Sequence, residues 1–116
     1  MFKFEKLFVW QKSLAFADLI CAETREFPAD ERFGLTNQIR RAANSISSNI
    51  AEGSARTDAD FAQFVGYASG SLYEVVTQAF IARRQRFLSE ISFEKIYSDA
   101  DEISRMLSGL RGSLGD

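Results

Sequence analysis

The side chains that most often carry out catalysis are scarce in this sequence. Histidine is absent and Cys21 is the only cysteine among 116 residues, which excludes imidazole bases and the usual Cys/His zinc sites. Cys21 stands among apolar residues with no base in sequence reach, so we interpret it as a small hydrophobic core residue. The glycine patterns of nucleotide-binding loops are also absent. The sequence therefore predicts neither an enzyme nor a bound cofactor.

Carboxylates and serines occur in clusters, but without the partners that chemistry needs. Asp58 and Asp60 stand at a predicted helix start, where carboxylates interact well with the helix dipole. The acidic residues at 99–102 fall on a solvated helix face, and a di-iron bundle would need Glu-x-x-His on two helices. The serines at 45, 47 and 48 have no evident base. We predict no catalytic or metal-binding residue, since an enzyme would need carboxylates that converge in a pocket.

The arginines are the side chains that best suit binding. Two arginines of the second predicted helix are consecutive, so their side chains point about 100° apart. Three more lie at the C-terminal end of the third predicted helix. One interpretation is structural, because cations at a helix C-terminus interact well with its dipole. The other is a phosphate-binding patch, which an oligomer would repeat as a ring of charge. The candidate contacts to RNA or DNA are Arg40, Arg41, Arg83, Arg84 and Arg86.

Charge and hydropathy favour a cytoplasmic protein. The chain has a formal charge of −2 and a pI near 5.2, whereas a dedicated DNA-binding domain is usually strongly basic. Its longest uncharged stretch, residues 61–73, is too short for a membrane-spanning helix. We expect no membrane partner.

Hydrophobic periodicity predicts four helices, over residues 7–26, 35–53, 58–86 and 92–112. The third helix has apolar residues four and three positions apart from Phe61 to Ala82, which forms a buried stripe. Thr57 and Ser92 are the predicted N-caps of the third and fourth helices, and Gly53 the predicted C-cap of the second. Four such helices with short connections predict an all-α, antiparallel up-down four-helix bundle that forms one domain over residues 1–116.

Some apolar and small residues lie away from these stripes. These residues are buried either in a wide core within the chain or in a contact between subunits, and the sequence does not decide between the two. The candidate oligomer or close-packing residues are Trp10, Gly66, Gly70 and Tyr73. A polar stripe flanks the apolar face of the second helix and indicates specific packing rather than catalysis; it comprises Gln38, Arg41, Ser45, Asn49 and Glu52.

A long motif resembles a known family. It runs FPADERFGLTNQIRRAA over residues 27–43, followed by Ser45-Ile46 and by NIAEG over residues 49–53. Residues 7–12 upstream and Arg56, Phe61 and Phe64 downstream fit as well. The motif is similar to that of the four-helix bundle proteins encoded within intervening sequences of bacterial 23S ribosomal RNA genes. The resemblance covers residues 7–88.

This resemblance implies a four-helix bundle that assembles as a homopentamer. A related branch, the accessory variability proteins of diversity-generating retroelements, forms a basic pentamer that binds nucleic acid and a reverse transcriptase. We therefore expect a non-enzymatic, self-associating scaffold that acts as an interaction or accessory protein. The alternative is a nucleic-acid-binding accessory protein with an arginine-lined ring and a reverse transcriptase as partner.

Overall fold

Four helices make up most of the computed structural model, which describes residues 1–115. They are α1 (Phe8–Glu23), α2 (Leu35–Ser54), α3 (Asp58–Arg84) and α4 (Glu90–Ser113). Short 3₁₀ turns at Lys3–Lys6 and Ala29–Glu31 precede α1 and α2, and no strand occurs between residues 1 and 115. The chain is all-α, as predicted. Asp116, the last residue of the predicted domain, lies outside the described residues.

Serine and threonine side chains set where the last two helices begin. Thr57 is the N-cap of α3 and its Oγ1 accepts the Asp60 amide at 3.3 Å, which confirms the prediction. The prediction that Ser92 is the N-cap of α4 was wrong. The N-cap is Ser89, whose Oγ accepts the Ser92 amide at 3.1 Å, and α4 begins at Glu90. Ser92 instead donates through its Oγ to Glu23 at 3.3 Å, which links α4 to α1.

Two helices end earlier than their apolar patterns predicted. α1 stops at Glu23, where the Thr24 hydroxyl donates to the Ile20 carbonyl at 2.8 Å. α3 stops at Arg84, because Arg86 has a positive φ of 66°. The Phe87 amide then donates back to the Ala82 carbonyl at 2.9 Å. This bond satisfies one of the carbonyls that a helix end leaves without a partner.

The predicted apolar stripes form the core. Every member of the α3 stripe is buried, and the stripes of α2 and α4 join it, with Leu35, Leu110 and Leu114 only partly buried. The interpretation of Cys21 as a core residue was wrong, because its neighbour Ile20 occupies the core and Cys21 is exposed. Consecutive helical residues point about 100° apart, so only one of this pair faces inward. The buried stripe residues of α3 are Phe61, Val65, Ala68, Leu72, Val75, Ala79 and Ala82.

Each helix contacts two neighbours. α1 packs on α2 and α4, α3 packs on α2 and α4, and the residues described show no contact between α1 and α3. The α1 and α4 sides are joined by Lys12 and Glu102, whose Nζ and Oε1 lie 2.5 Å apart. This hydrogen bond raises the pKa of Lys12 above its ordinary value. No helix within residues 1–115 is long and apolar enough to cross a membrane.

Gly53 lies inside α2 rather than capping it, which corrects the prediction. The helix continues to Ser54, and the glycine is fully covered by α3. A Cβ at this position would lie 2.6 Å from the Phe64 Cβ and 2.9 Å from the Phe61 Cδ1. Glycine is therefore used here because α2 and α3 approach too closely for any side chain.

We expect Gly53→Ala to lower the free energy of unfolding by about 1–3 kcal/mol, because the new methyl group overpacks the interface with α3. The control is Gly109→Ala in α4, where a Cβ would meet nothing within 4 Å. That change should raise stability by about 0.5–1 kcal/mol through helix propensity alone. Urea denaturation followed by circular dichroism measures both. Equal stabilisation by the two changes would contradict the close contact at Gly53.

Candidate interaction surfaces

Arg40 joins α2 to the end of α1. Its Nε donates to the Thr24 Oγ1 at 2.9 Å and its Nη2 to the Cys21 carbonyl at 3.4 Å. Thr24 is itself buried, and the Cys21 carbonyl belongs to the last turn of α1. The guanidinium thus satisfies polar groups at a helix C-terminus, where a cation is also favoured by the dipole.

Arg83 is held between α3 and α4. Its Nη1 lies 3.1 Å from a carboxylate oxygen of Glu90. The guanidinium carbon lies 3.9 Å from the centre of the Phe93 ring and 5.1 Å from that of Phe80. Cation–π contact and the ion pair give this arginine a role in packing α4 against α3.

The other three candidate arginines are exposed, and their side chains make no hydrogen bond or ion pair within residues 1–115. Arg41 lines the groove between α2 and α3. Arg84 ends α3 and Arg86 follows it. Because Arg40 faces α1 and Arg83 faces α4, the five candidates do not converge on one patch of a single chain.

The first three residues of the predicted polar stripe, Gln38, Arg41 and Ser45, line this α2–α3 groove, which has a volume of about 370 Å³. The Ser45 and Ser71 hydroxyls are 2.9 Å apart, and the Asn49 Nδ2 donates to the Ser45 carbonyl at 2.9 Å. At the two ends of the stripe, Gln38 lies 3.5 Å from Gln78 and Glu52 lies 3.4 Å from Arg56. Ser45 and Asn49 are half-buried, whereas Gln38, Arg41 and Glu52 are exposed.

Two of the four candidate close-packing residues make contacts within the chain. Trp10 is partly buried against the core, and its ring centre lies 4.9 Å from that of Phe4. Gly66 faces α4, where a Cβ would lie 3.4 Å from the Arg111 Nη1. These contacts are ordinary parts of the packing of one chain.

The other two lie on the outward side of α3, which we call the α3 outer face and define as Gly70, Tyr73, Thr77 and Ile81. A Cβ at Gly70 would meet nothing within 4 Å, Tyr73 is 61 % exposed and Ile81 is 44 % exposed. Ile81 was not predicted from the sequence, although spacings of three and four residues connect it to the other members. This face therefore combines exposed apolar groups with room for close approach.

Grooves run along both sides of the α3 outer face. Toward α4, a groove of about 290 Å³ is lined by Tyr73, Val76 and Tyr97. Toward α2, a groove of about 360 Å³ is lined by Leu35, Tyr73 and Ile81. The outward side chains of α3 thus form a ridge between two grooves, which is the surface shape that packed helices use.

The groups that could do chemistry are engaged elsewhere. The Ser47 and Ser48 hydroxyls donate to the Asn44 carbonyl at 3.2 and 3.1 Å. Within residues 1–115, no three side chains of His, Cys, Asp or Glu are grouped so that they could hold a metal ion. Asp101, from the acidic cluster of α4, pairs with Arg105 at 2.6 Å.

Comparison with known proteins gives the family of this chain. A family model for the 23S rRNA-intervening sequence proteins matches residues 5–109. This chain belongs to that family. The matched range of this intervening sequence protein includes the five candidate arginines, the polar stripe and the α3 outer face. None of the curated proteins compared with it matches.

A solved structure has the same fold as this intervening sequence protein. It is a protein described as having unknown function, from the S23 ribosomal protein family of Bacteroides thetaiotaomicron. The two are 26 % identical with a TM-score of 0.82, and the match covers 90 % of this chain and 95 % of that one. The fold inferred from the resemblance is therefore the fold of a solved relative.

Substitution of Arg40 and substitution of Arg41 should change the free energy of unfolding of this intervening sequence protein by different amounts. Arg40→Gln removes both bonds to the end of α1 and should lower the free energy of unfolding by about 1–2 kcal/mol. Arg41→Gln, the matched control, should change it by less than about 0.5 kcal/mol, because Arg41 is exposed and makes no bond in the described chain. Urea denaturation distinguishes them. Equal effects would contradict the assignment of Arg40 as a structural link.

Proposed function

We propose that this intervening sequence protein is a non-enzymatic scaffold that assembles with copies of itself through the α3 outer face. The helices would run up and down in an antiparallel bundle, as the pairing of Gln38 with Gln78 and of Ser45 with Ser71 supports. The single observation that carries the proposal is the exposed ridge of Gly70, Tyr73 and Ile81 between two grooves. Exposed apolar surface of this kind is typical of an interaction site.

A second copy is the occupant that fits this face best. Gly70 leaves space for the backbone of another helix, and the two grooves would receive the side chains of its ridges. Arg41 and Glu74 lie at the α2 side of the face, where they line one groove without pairing with each other. Opposite charges beside an apolar centre are the arrangement by which an interface sets its register.

We further propose that five copies assemble, since the family resemblance implies a homopentamer. Such an assembly would repeat each surface around its axis and present them together to a partner. The protein would then serve in the cytoplasm as an accessory protein that brings other molecules together. The Ser47 and Ser48 hydroxyls donate to a backbone carbonyl rather than to a base, which supports a role in structure over one in catalysis.

Substitution at Gly70 tests self-assembly through this face. Gly70→Leu places a side chain where the chain itself offers open space, so the protein should fold and its native mass should fall below that of the wild type. Gly109→Leu is the matched control in α4, since a Cβ there also meets nothing within 4 Å, and it should keep the wild-type mass. Sedimentation velocity measures the mass in each case. A wild-type mass in Gly70→Leu would place the interface elsewhere.

A second candidate function, binding of RNA or DNA, is favoured by Arg41, Arg84 and Arg86. These side chains are exposed and free of ion pairs within residues 1–115, and Arg84 and Arg86 alone would give a pentamer ten of them, with Arg41 beside the subunit contact. Phosphate contacts by such arginines release counterions. In this form the protein would be a nucleic-acid-binding accessory protein, with a reverse transcriptase as the partner that the resemblance implies.

Fluorescence anisotropy with short labelled RNA and DNA tests this candidate. We expect saturable binding that weakens as salt rises, and the log–log slope should drop by about 0.7–0.9 for each phosphate contact that is lost. The variant with Arg41, Arg84 and Arg86 changed to Gln should lose this binding. Changing Lys3, Lys6 and Arg105 to Gln removes the same charge elsewhere and should retain most of it. Absence of binding at low salt would rule out this candidate and leave the protein scaffold.

A further inference from the structure

We propose that the end of α1 and the start of α2 form a binding site for a phosphoryl group. A cavity of about 280 Å³ lies here, bordered by the 3₁₀ turn at Ala29–Glu31. Its lining includes Arg25, Arg32 and Arg40 together with Thr24, Thr36 and Phe27. Two of these arginines, Arg25 and Arg32, were not among the candidates that the sequence suggested.

The three guanidinium groups provide the positive charge that a phosphoryl group needs. Arg40 donates through Nε and Nη2, which fixes its position and leaves Nη1 available. Arg25 and Arg32 form no ion pair with any carboxylate of residues 1–115. Arginine forks match the oxygens of a phosphoryl group well, and such charge-assisted hydrogen bonds are stronger than neutral ones.

Nearby carboxylates leave these arginines unpaired. Glu26, Asp30 and Glu31 belong to the same connection between α1 and α2. None of their carboxylate oxygens lies within 4 Å of a side-chain nitrogen of Arg25, Arg32 or Arg40 in the described chain. Glu31 is occupied otherwise, since its Oε1 accepts the Leu35 amide at 3.3 Å.

An unpartnered hydroxyl on Thr36 also indicates a ligand in this cavity. Its side chain is 9 % exposed and lines the cavity. Its Oγ1 is buried and has no hydrogen-bond partner. A buried hydroxyl without a partner is unfavourable and is rare in native proteins. An oxyanion bound among the three arginines would accept the hydrogen bond that this hydroxyl lacks.

The start of α2 adds a favourable field to the same place. Gly34 is the N-cap and has no side chain that could accept an amide. Thr36 therefore lies in a first turn whose amides have no side-chain cap apart from the bond between Leu35 and Glu31. The positive end of the helix dipole and free amides both favour a bound anion.

The cavity suits a phosphomonoester with a small attached group. Its volume of about 280 Å³ lies near the lower limit of small-molecule pockets and exceeds what a bare phosphate fills. Phe27 and Pro28 form an apolar part of the lining, against which a sugar or base could pack. A free mononucleotide and the 5′-phosphate end of an RNA share this chemistry. The site lies away from the α3 outer face, so it depends neither on self-assembly nor on the proposed scaffold.

Isothermal titration calorimetry at low salt tests the site with inorganic phosphate, AMP and adenosine. We expect saturable binding of phosphate and AMP, competition between them, and no binding of adenosine. A 5′-phosphorylated RNA that binds more tightly than the same RNA with a 5′-hydroxyl would identify the RNA end as a source of the phosphoryl group. Binding of AMP without such a difference would identify the small molecule.

Variants locate the binding. Arg25→Gln with Arg32→Gln should weaken AMP binding about tenfold and Thr36→Val about fivefold, whereas Lys3→Gln with Lys6→Gln should change it by less than about twofold. Thr36→Val should fold normally, because its hydroxyl has no partner to lose, and circular dichroism checks this. The proposal is overturned if wild-type protein shows no saturable binding of phosphate or AMP, if adenosine binds as well as AMP, or if the control pair loses as much affinity as the cavity pair.

Discussion

Seven apolar residues along α3, from Phe61 to Ala82, are buried between α2 and α4. This stripe occupies one side of a 27-residue helix, so the opposite side is buried only where a further element packs on it. α1 contacts the two other helices but not α3, which leaves nothing in the described chain to cover that outward side. The exposed Tyr73 and Ile81 and the open space at Gly70 follow from this arrangement. Self-assembly would bury them.

Arginine has different uses in different parts of the bundle. Arg40 and Arg83 hold neighbouring helices together through hydrogen bonds, an ion pair and contacts with aromatic rings. Others keep their guanidinium groups in solvent, where they are available for phosphate. Counting basic residues therefore overstates the surface that is free for binding. The distinction depends on whether a carbonyl, hydroxyl, carboxylate or ring of a neighbouring helix lies within reach.

The sequence predicted the helices and their buried stripes because periodicity reports directly on which side of a helix is covered. It failed where the answer depends on another helix. Gly53 was interpreted as a cap, although its role is to admit Phe64 of α3. Cys21 was assigned to the core, but the edge of the apolar side of α1 is exposed. The cavity around Thr36 escaped notice because Arg25, Arg32 and Arg40 come together only once the connection between α1 and α2 has folded.

Hydroxyl-radical footprinting of the wild-type protein measures whether a second copy covers the α3 outer face. Tyr73 and Phe8 are 61 % and 63 % exposed in the single chain, and they lie on helices that do not contact each other. After correction for the intrinsic reactivity of each residue type, we expect Tyr73 to be labelled much more slowly than Phe8, and we expect dilution to monomer to remove the difference. Equal labelling of the two at every concentration would mean that no second copy covers this face.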